Sequence, residues 1–497
     1  MEAAPATDVA RERRLAGIGV ALIGIAFVCV AAFAAYSLRW SGSADAYEHL
    51  DYVLQVARGQ LPEPFGHVFD PAVWTANQSR LEAGRQYASA HPPLYYVIAA
   101  ALVGGLLEAG MQDQDSWIRA VAILRALNIG LGLIGLLGLA WTGWIIGGRL
   151  RAPLAIALPA TGGFTYAYLR FSGEVYGDML LVVASIWTLA TSASVLLRGP
   201  SWWRLGALSG LAIVGAGSKA TFILVLAVGS IAIMVGTLLH GRGGPLRRAL
   251  LGGAAAAVPW IAAIASFGWF YARNALLSGA WHRSTEVSPI GRVARTLSDN
   301  LGDWNFYGTF PAGLFGKWIV TVVAWAPAAS ALLFWAATLA TLVAWTSLII
   351  RGRVRPSLGQ WAVVAMLVGL AIGAYLMQLS HSVGYGAYNT RYFLPATLAF
   401  SAAMVGGIIL APRIRAVLIP AWSVLLILGS AASIIAYSVG PDLLLEDPIA
   451  ALRALGIAYV PWWVLVGLLG AGLAFAAATA VPMWMLRDRR LSSAVVV

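Results

Sequence analysis

Apolar residues fall in blocks of about twenty along most of this 497-residue chain, separated by polar turns. A helix of about 20 apolar residues matches the hydrocarbon thickness of a bilayer. Twelve blocks therefore predict twelve spanning helices, near residues 15–38, 118–147, 152–170, 179–197, 203–217, 220–239, 249–270, 328–350, 359–379, 393–410, 416–437 and 461–485. Arg11, Arg13 and Arg14 precede the first block. That block is too long for the apolar core of a signal peptide and more spans follow, so it reads as a retained anchor. The expected fold class is an all-α polytopic membrane protein of about 12 transmembrane helices with outer juxtamembrane helices. Residues 1–490 form one domain, and 491–497 a cytoplasmic tail.

The connections are of two kinds. One set is short and holds Arg11, Arg13, Arg14, Arg149, Arg151, Arg198, Arg204, Arg242, Arg247, Arg248, Arg351, Arg353, Arg355, Arg413, Arg415, Arg487, Arg489 and Arg490, with only Glu2, Asp8, Glu12 and Asp488 as acids. Short loops with a basic excess stay in the cytoplasm. Both termini are then cytoplasmic, in keeping with an even number of spans. The scarcity of lysine, with Lys219 and Lys317 beside many arginines, and the abundance of Ala and Gly suggest a GC-rich bacterial genome, so the expected location of the spans is a bacterial plasma membrane. The other set is long, at 39–117, 271–327, 380–392 and 438–460. Long ordered loops gathered on one face usually carry function.

Composition narrows the picture further. The chain is 60% hydrophobic and 11% charged, with a mean hydropathy of +0.78. Soluble domains carry about 25% charged residues. The net charge of +12 is spread over short loops rather than gathered in one patch, so no nucleic-acid partner is implied. Cys29, the single cysteine, allows neither an intrachain disulfide nor a cysteine-based metal site.

The first long loop is the most patterned. Ser43 is placed to cap a helix starting near Ala44. Leu50, Val53, Leu54 and Ala57 share one face of it, and Asp45, Glu48, His49 and Tyr52 the other. This predicts an amphipathic helix lying on the membrane with its polar side toward water. Pro92 and Pro93 then open an apolar stretch, Leu94 to Leu107, ended by Glu108, Asp113 and Asp115. If that stretch spanned, every later arginine cluster would face outward, so it reads as a second juxtamembrane or re-entrant helix.

The same side collects chemistry. His49, His67, His91, His282 and His381 fall there, as do Asp45, Glu48, Glu174 and Asp178. Glu174 and Asp178 occupy the tight segment Phe171-Ser-Gly-Glu-Val-Tyr-Gly-Asp178. Carboxylates at the bilayer surface meet water, a cation or a partner, and one beside a hydroxyl can take its proton as that oxygen attacks. Lys219, Arg273 and Arg391 are expected at membrane-surface depth, since a charge at mid-bilayer costs about 2.5–3.5 kcal/mol. Cations there suit a lipid-linked phosphate. Arg119, Arg125 and Asn128 enter the second span and are expected to serve helix packing. No tight ligand pattern such as His-Glu-x-x-His occurs, so no cofactor is expected, with a divalent metal held as the lesser option from side-chain types.

Four motifs occur in order: an acidic helix after the first span, His91-Pro-Pro-Leu-Tyr-Tyr96, the Gly-Glu-Val-Tyr-Gly-Asp178 loop, and Gly217-Ser-Lys-Ala-Thr221. Together they resemble the GT-C superfamily of membrane glycosyltransferases, in the branch of protein O-mannosyltransferases and the lipid A aminoarabinose transferase. Trp269-Phe-Tyr-Ala-Arg-Asn274 and Asn389-Thr-Arg-Tyr-Phe-Leu-Pro395 resemble segments of bacterial relatives, so the resemblance covers roughly residues 15–410. It implies a GT-C-like bundle, a sugar donor on a polyprenyl phosphate, and a glycan, lipid or protein acceptor outside the cytoplasm, with membrane lipids as surroundings. It also implies Asp45 as the first-loop base, Asp178 as the second acidic position and Lys219 near the donor. Many relatives carry adjacent acids in the first loop, whereas Ala46 follows Asp45 here, so Glu48 is the second candidate. The mechanism expected is a single displacement with inversion, in which Lys219, Arg273 or Arg391 stabilises the departing phosphate. Glu174, His49, His91, Tyr95, Tyr96 and Tyr392 are the expected substrate-binding side chains, with Trp304 a further ring for a sugar face. Two rivals remain: a transporter or flippase of lipid-linked sugars, and a non-catalytic envelope assembly protein. The first predicts polar groups near the bilayer midplane, whereas here they concentrate at one face.

Overall fold

The computed structural model describes residues 6–38, 46–64, 87–110, 113–279, 281, 295–303, 306–308, 316, 326–385, 388, 390–455 and 460–487. Regular structure among them is helical throughout. The first half runs α1 (Ala6–Ser37), α2 (Ala46–Ala57), α3 (Leu94–Gly110), α4 (Gln114–Ile146), α5 (Arg151–Gly162), α6 (Tyr166–Gly173), α7 (Asp178–Arg198), α8 (Trp202–Ala216), α9 (Phe222–His240) and α10 (Pro245–Ser278). The second half runs α11 (Leu297–Gly302), α12 (Ala326–Ile350), α13 (Leu358–Tyr385), α14 (Thr397–Val405), α15 (Pro412–Val439), α16 (Pro441–Glu446), α17 (Pro448–Ala454), α18 (Trp462–Ala478) and α19 (Ala480–Met485).

Nine stretches among the described residues are long and apolar enough to cross a bilayer: α1, α4, α7, α9, α10, α12, α13, α15 and the α18–α19 pair. The other three expected spans are helical but built from shorter pieces. Residues 152–170 divide into α5 and α6, because Gly162 and Gly163 follow an internal Pro159 and Thr165 turns extended at ψ 143°. The span expected at 203–217 is α8, whose 15 residues rise only about 22 Å, less than the hydrocarbon core of about 30 Å. The span expected at 393–410 is a 3-10 segment, Thr390–Ala396, followed by α14 and a second 3-10 turn, with Pro395 breaking the helical ladder.

The bundle is organised around α7, whose most apolar window is 89% buried, against 6% for the peripheral α12. Helices α4, α8 and α9 pack against α7, and α1 lies along α18, α5 and α6. The arginine-rich connections meet at one end. There Arg151 pairs with Glu12 at 3.0 Å, His240 Nε2 meets the Leu196 carbonyl at 3.0 Å, and Arg415 donates to the carbonyls of Ile409 and Leu486. The long connections meet at the other end, where Tyr271 donates to the Ala216 carbonyl and Arg273 to the Pro62 carbonyl.

One expectation is corrected here. Helix α2 forms where the pattern places it, but its polar face is not solvated: Glu48, His49 and Asp51 are 4%, 1% and 0% exposed. The reason is the partner it finds. Helices α2 and α3 pack on each other and α3 packs on the first turns of α4, with Arg58 at the end of α2 bound to Glu108 of α3 at 2.9 Å. Asp113 caps α4 by accepting from the backbone of Asp115 and Ser116, which turns the α3–α4 hairpin.

Candidate functional site

The centre of the site is an ion pair. Lys219 lies in the turn between α8 and α9, and Asp178 is the first residue of α7; the lysine Nζ donates to Asp178 Oδ1 at 2.7 Å. Their side chains are 9% and 3% exposed. The second carboxylate oxygen, Oδ2, is buried and accepts no hydrogen bond among the described residues. Residues 41 positions apart are brought together because α7 and α8 form a hairpin and both strands of chain leave the bundle at the same end.

Two glycines make the close approach feasible. The carbonyl of Gly217 accepts from the backbone nitrogen of Leu94 at 3.0 Å, which ties the Lys219 turn to the start of α3. A Cβ on Gly217 would overlap Phe267 and press on Leu94. Gly173 lets the loop before α7 lie on α1, where a Cβ would stand 2.8 Å from the Ala35 nitrogen. The same loop is held from the far side by Asn128, whose Nδ2 donates to the carbonyls of Glu174 at 2.6 Å and Tyr176 at 3.0 Å. Arg125, one turn earlier on α4, donates to the carbonyls of Ala35 and Leu38. The packing role expected of Arg125 and Asn128 therefore has a specific object: they fix the end of α1 and the loop that carries Asp178.

Beside the ion pair stands a wall of rings. Tyr96 Oη lies 2.7 Å from His49 Nδ1 and 3.2 Å from His91 Nδ1. Tyr52 stacks on Tyr96 at a centroid distance of 3.7 Å and donates to the His91 carbonyl. Tyr176 meets His49 edge-on at 4.8 Å, and Tyr95 meets Tyr96 edge-on at 5.5 Å. Tyr95 and Tyr96 are each 1% exposed, so they form the inside of this wall, with Tyr52 on a face of Tyr96 and His49 at its hydroxyl end.

The charges converge as well. Lys219, His49, Asp178 and Arg391 all act electrostatically on His91. Burial, and then the Lys219 ammonium, hold the His91 imidazole well below its ordinary pKa, so it is neutral at physiological pH. Burial pushes the Tyr52, Tyr95 and Tyr96 phenols up, which keeps all three protonated. Glu48 is within electrostatic reach of Tyr96, and Arg273 of Tyr52. Arg391 sits in the 3-10 segment beside Tyr392, whose hydroxyl meets His381 Nδ1 at 3.2 Å. That segment is braced by Tyr388, which donates to Asp303 at 2.9 Å, while Arg295 pairs with the same carboxylate at 2.7 Å.

The structure thus gathers Asp178, Lys219, His49, His91, Tyr95, Tyr96 and Glu48, with Arg273, Arg391 and Tyr392 at the same end. Glu174 is turned elsewhere: its carboxylate pairs with Arg170 at 3.0 Å, whose guanidinium covers the Tyr437 ring at 4.6 Å. Asp45, His67, His282, Trp304, Lys317 and Asn389 lie outside the described residues. Tyr52, Tyr176 and the fully buried Asp51, which accepts from Gln55 at 2.8 Å, belong to the cluster without having been singled out as binding groups from the sequence. The spacing of Glu48, Asp51, Tyr52 and Gln55 on one helical face was the available signal. Among the described residues, no three His, Cys, Asp or Glu side chains group as a metal site.

No family model and no curated protein matches this chain. It is similar in fold to solved structures of the Archaeoglobus fulgidus oligosaccharyltransferase. The complex with Zn and sulfate has a TM-score of 0.43 at 12% identity, covering 92% of this chain and 53% of that one. The form tethered with an acceptor peptide containing the NVT sequon has a TM-score of 0.41 at 12% identity, covering 94% and 55%. The apo form has a TM-score of 0.41 at 12% identity, covering 95% and 56%. The chain spans about half the length of these structures.

Proposed function

We propose that this chain is a GT-C-type glycosyltransferase. It would move a sugar from a polyprenyl-phosphate-linked donor to an acceptor hydroxyl of a glycan, lipid or protein, in assembly of the bacterial cell envelope. The observation that carries the reading is the buried Asp178–Lys219 pair, with one carboxylate oxygen lacking a hydrogen bond among the described residues and His91 and Arg391 in electrostatic reach, at the end of the bundle away from the arginine-rich loops. By the positive-inside rule that end faces out of the cytoplasm, and both termini face in.

In the proposed reaction the acceptor oxygen attacks the anomeric carbon, the bond from that carbon to the phosphate oxygen breaks, and the sugar inverts. Asp45, just before α2, takes the acceptor's proton, with Glu48 in second place. Polyprenyl phosphate leaves against Lys219, Arg273 and Arg391, which stabilise its growing charge. Asp178 holds Lys219 in place, and its second oxygen, which accepts no hydrogen bond among the described residues, would accept one from a sugar or acceptor hydroxyl. No obligatory metal is assigned a step. The ordered motifs from Asp45 to Pro395 support the same assignment by resemblance.

The test is direct. Purified protein in nanodiscs is incubated with a panel of polyprenyl-phospho-sugars, and release of polyprenyl phosphate is followed. Asp45→Asn is expected to abolish release, by about 10²-fold or more, while the protein stays folded in the membrane. Lys219→Ala is expected to weaken donor binding. Release by no donor in the panel refutes the reading, and wild-type turnover in Asp45→Asn removes that residue as base.

A further inference from the structure

The His49–Tyr96–His91 arrangement does more than pack. Tyr96 Oη meets the Nδ1 atoms of both rings, at 2.7 and 3.2 Å, inside a buried cluster. A phenol has one proton. Accepting from both Nδ1–H groups would leave its own buried O–H without an acceptor among the described residues, so it donates to one Nδ1 and accepts from the other, and the two histidines are in opposite tautomers. That is a directed hydrogen-bond chain with an imidazole Nε2 at each end. One end belongs to α2, which also carries Glu48 and Asp51. The other belongs to His91, in the field of Lys219, Asp178 and Arg391.

We infer that His49, Tyr96 and His91 form a proton relay that returns the acceptor's proton to the departing phosphate. The inference rests on the sugar-transfer reading and deepens it. The balance is closed. The acceptor O–H proton passes to the α2-side carboxylate as the new glycosidic bond forms. That carboxylic acid gives its proton to His49 Nε2. His49 Nδ1–H passes to Tyr96 Oη, the Tyr96 proton passes to His91 Nδ1, and His91 Nε2–H passes to a phosphate oxygen. Each ring ends neutral with its tautomer reversed, the base is a carboxylate again, and polyprenyl phosphate leaves as its monoanion. No oxidant, reductant or outside acid is required.

Two features of the site suit such a chain. The groups facing His91 from the neighbouring elements are Lys219, Asp178, Arg391, His49 and the Tyr96 hydroxyl. Two of these are cations, so an imidazolium at His91 is disfavoured and a proton arriving there is passed on rather than stored. The groups around Tyr96 are Tyr52, Tyr95, Asp178 and Glu48 with the two imidazoles. Its phenol is held protonated by burial, so it conducts a proton by giving one up as it receives another. Stacking of Tyr52 on Tyr96, with the Tyr52 hydroxyl on the His91 carbonyl, keeps both the ring and the histidine in place.

The experiment uses the full chain in nanodiscs and two readouts. With ¹⁵N-histidine, one of the pair (His49) is expected with a protonated Nδ1 and the other (His91) with a bare Nδ1, assigned by His49→Asn and His91→Gln. Finding both Nδ1 atoms in the same state overturns the relay, whatever the protein's activity. In the donor-release assay, Tyr96→Phe is expected to slow turnover at least about tenfold, to leave donor affinity unchanged, and to abolish the solvent deuterium isotope effect. His91→Gln is expected to slow turnover and remove the isotope effect likewise, and covers the case in which Tyr96→Phe misfolds. Turnover in Tyr96→Phe at the wild-type rate, or slowed turnover with the isotope effect intact, overturns the relay and leaves sugar transfer standing. If the wild-type protein releases nothing from any donor, the sugar-transfer reading fails and this use of the chain fails with it, even with opposite tautomers present.

Discussion

Breaking the Asp178–Lys219 pair tests the site at its most exposed assumption, that two ionised groups share a buried location. At the observed 2.7 Å and an effective dielectric of about 20, their attraction is about 6 kcal/mol. Desolvating both ions costs several kcal/mol each, so the intact pair contributes little net stability. Removing one partner is different, because the other then stays buried without this counter-ion, which costs about 3–5 kcal/mol. Lys219→Met is expected at the lower end of that range, since Arg391 still acts on the Asp178 carboxylate. Asp178→Asn leaves Lys219 beside Arg391 and His91 with no opposing carboxylate from α7. The double variant Asp178→Asn with Lys219→Met removes both charges and is expected near wild-type stability. A double-mutant cycle from equilibrium denaturation in mixed micelles, followed by the fluorescence of the 21 tryptophans, should then give a coupling of about 6 kcal/mol or more, the sum of the two single-variant losses. Single variants within about 0.5 kcal/mol of wild type, or strictly additive effects, would refute the buried pair.

Two other perturbations follow from named contacts. Asn128→Ala strips two buried carbonyls, those of Glu174 and Tyr176, of their donor; a loss of about 1–3 kcal/mol per unsatisfied group is expected, read as a lower unfolding midpoint together with reduced donor turnover. His91 binds protons less readily folded than unfolded, so between its depressed folded pKa and about 6.5 the unfolded state carries more protons and stability rises with pH. Acidification below about pH 6.5 should therefore destabilise the wild type, and His91→Gln should blunt that acid sensitivity in melts run as a pH series.

How much of this was written in the chain can be judged from particular residues. The hydrophobic blocks alone place α1, α4, α7, α9, α10, α12, α13, α15 and α18, because a bilayer demands about 20 apolar residues and leaves little choice of structure. The arginine clusters sort the two ends, and the contacts Glu12–Arg151 and Arg415–Leu486 meet at the expected one. The α2 pattern also announces a helix with one polar face. What the pattern does not say is what that face meets. Amphipathicity fixes a periodicity, and a polar stripe suits a neighbouring protein surface as well as it suits water.

The sequence by itself determined nine of the long helices, the gathering of the arginines at one end of the bundle and the kinds of group collected at the other, since these follow from solvation energies summed over short windows. Only the tertiary structure decided that Lys219 reaches Asp178, that Glu174 turns away to Arg170, and that Tyr96 stands between His49 and His91. Those pairings join positions 4 to 47 residues apart through hairpin geometry and glycine-permitted contacts. Residues on one loop can face opposite ways, so proximity in sequence does not choose the partner; the packing of α3, α4 and α7 does.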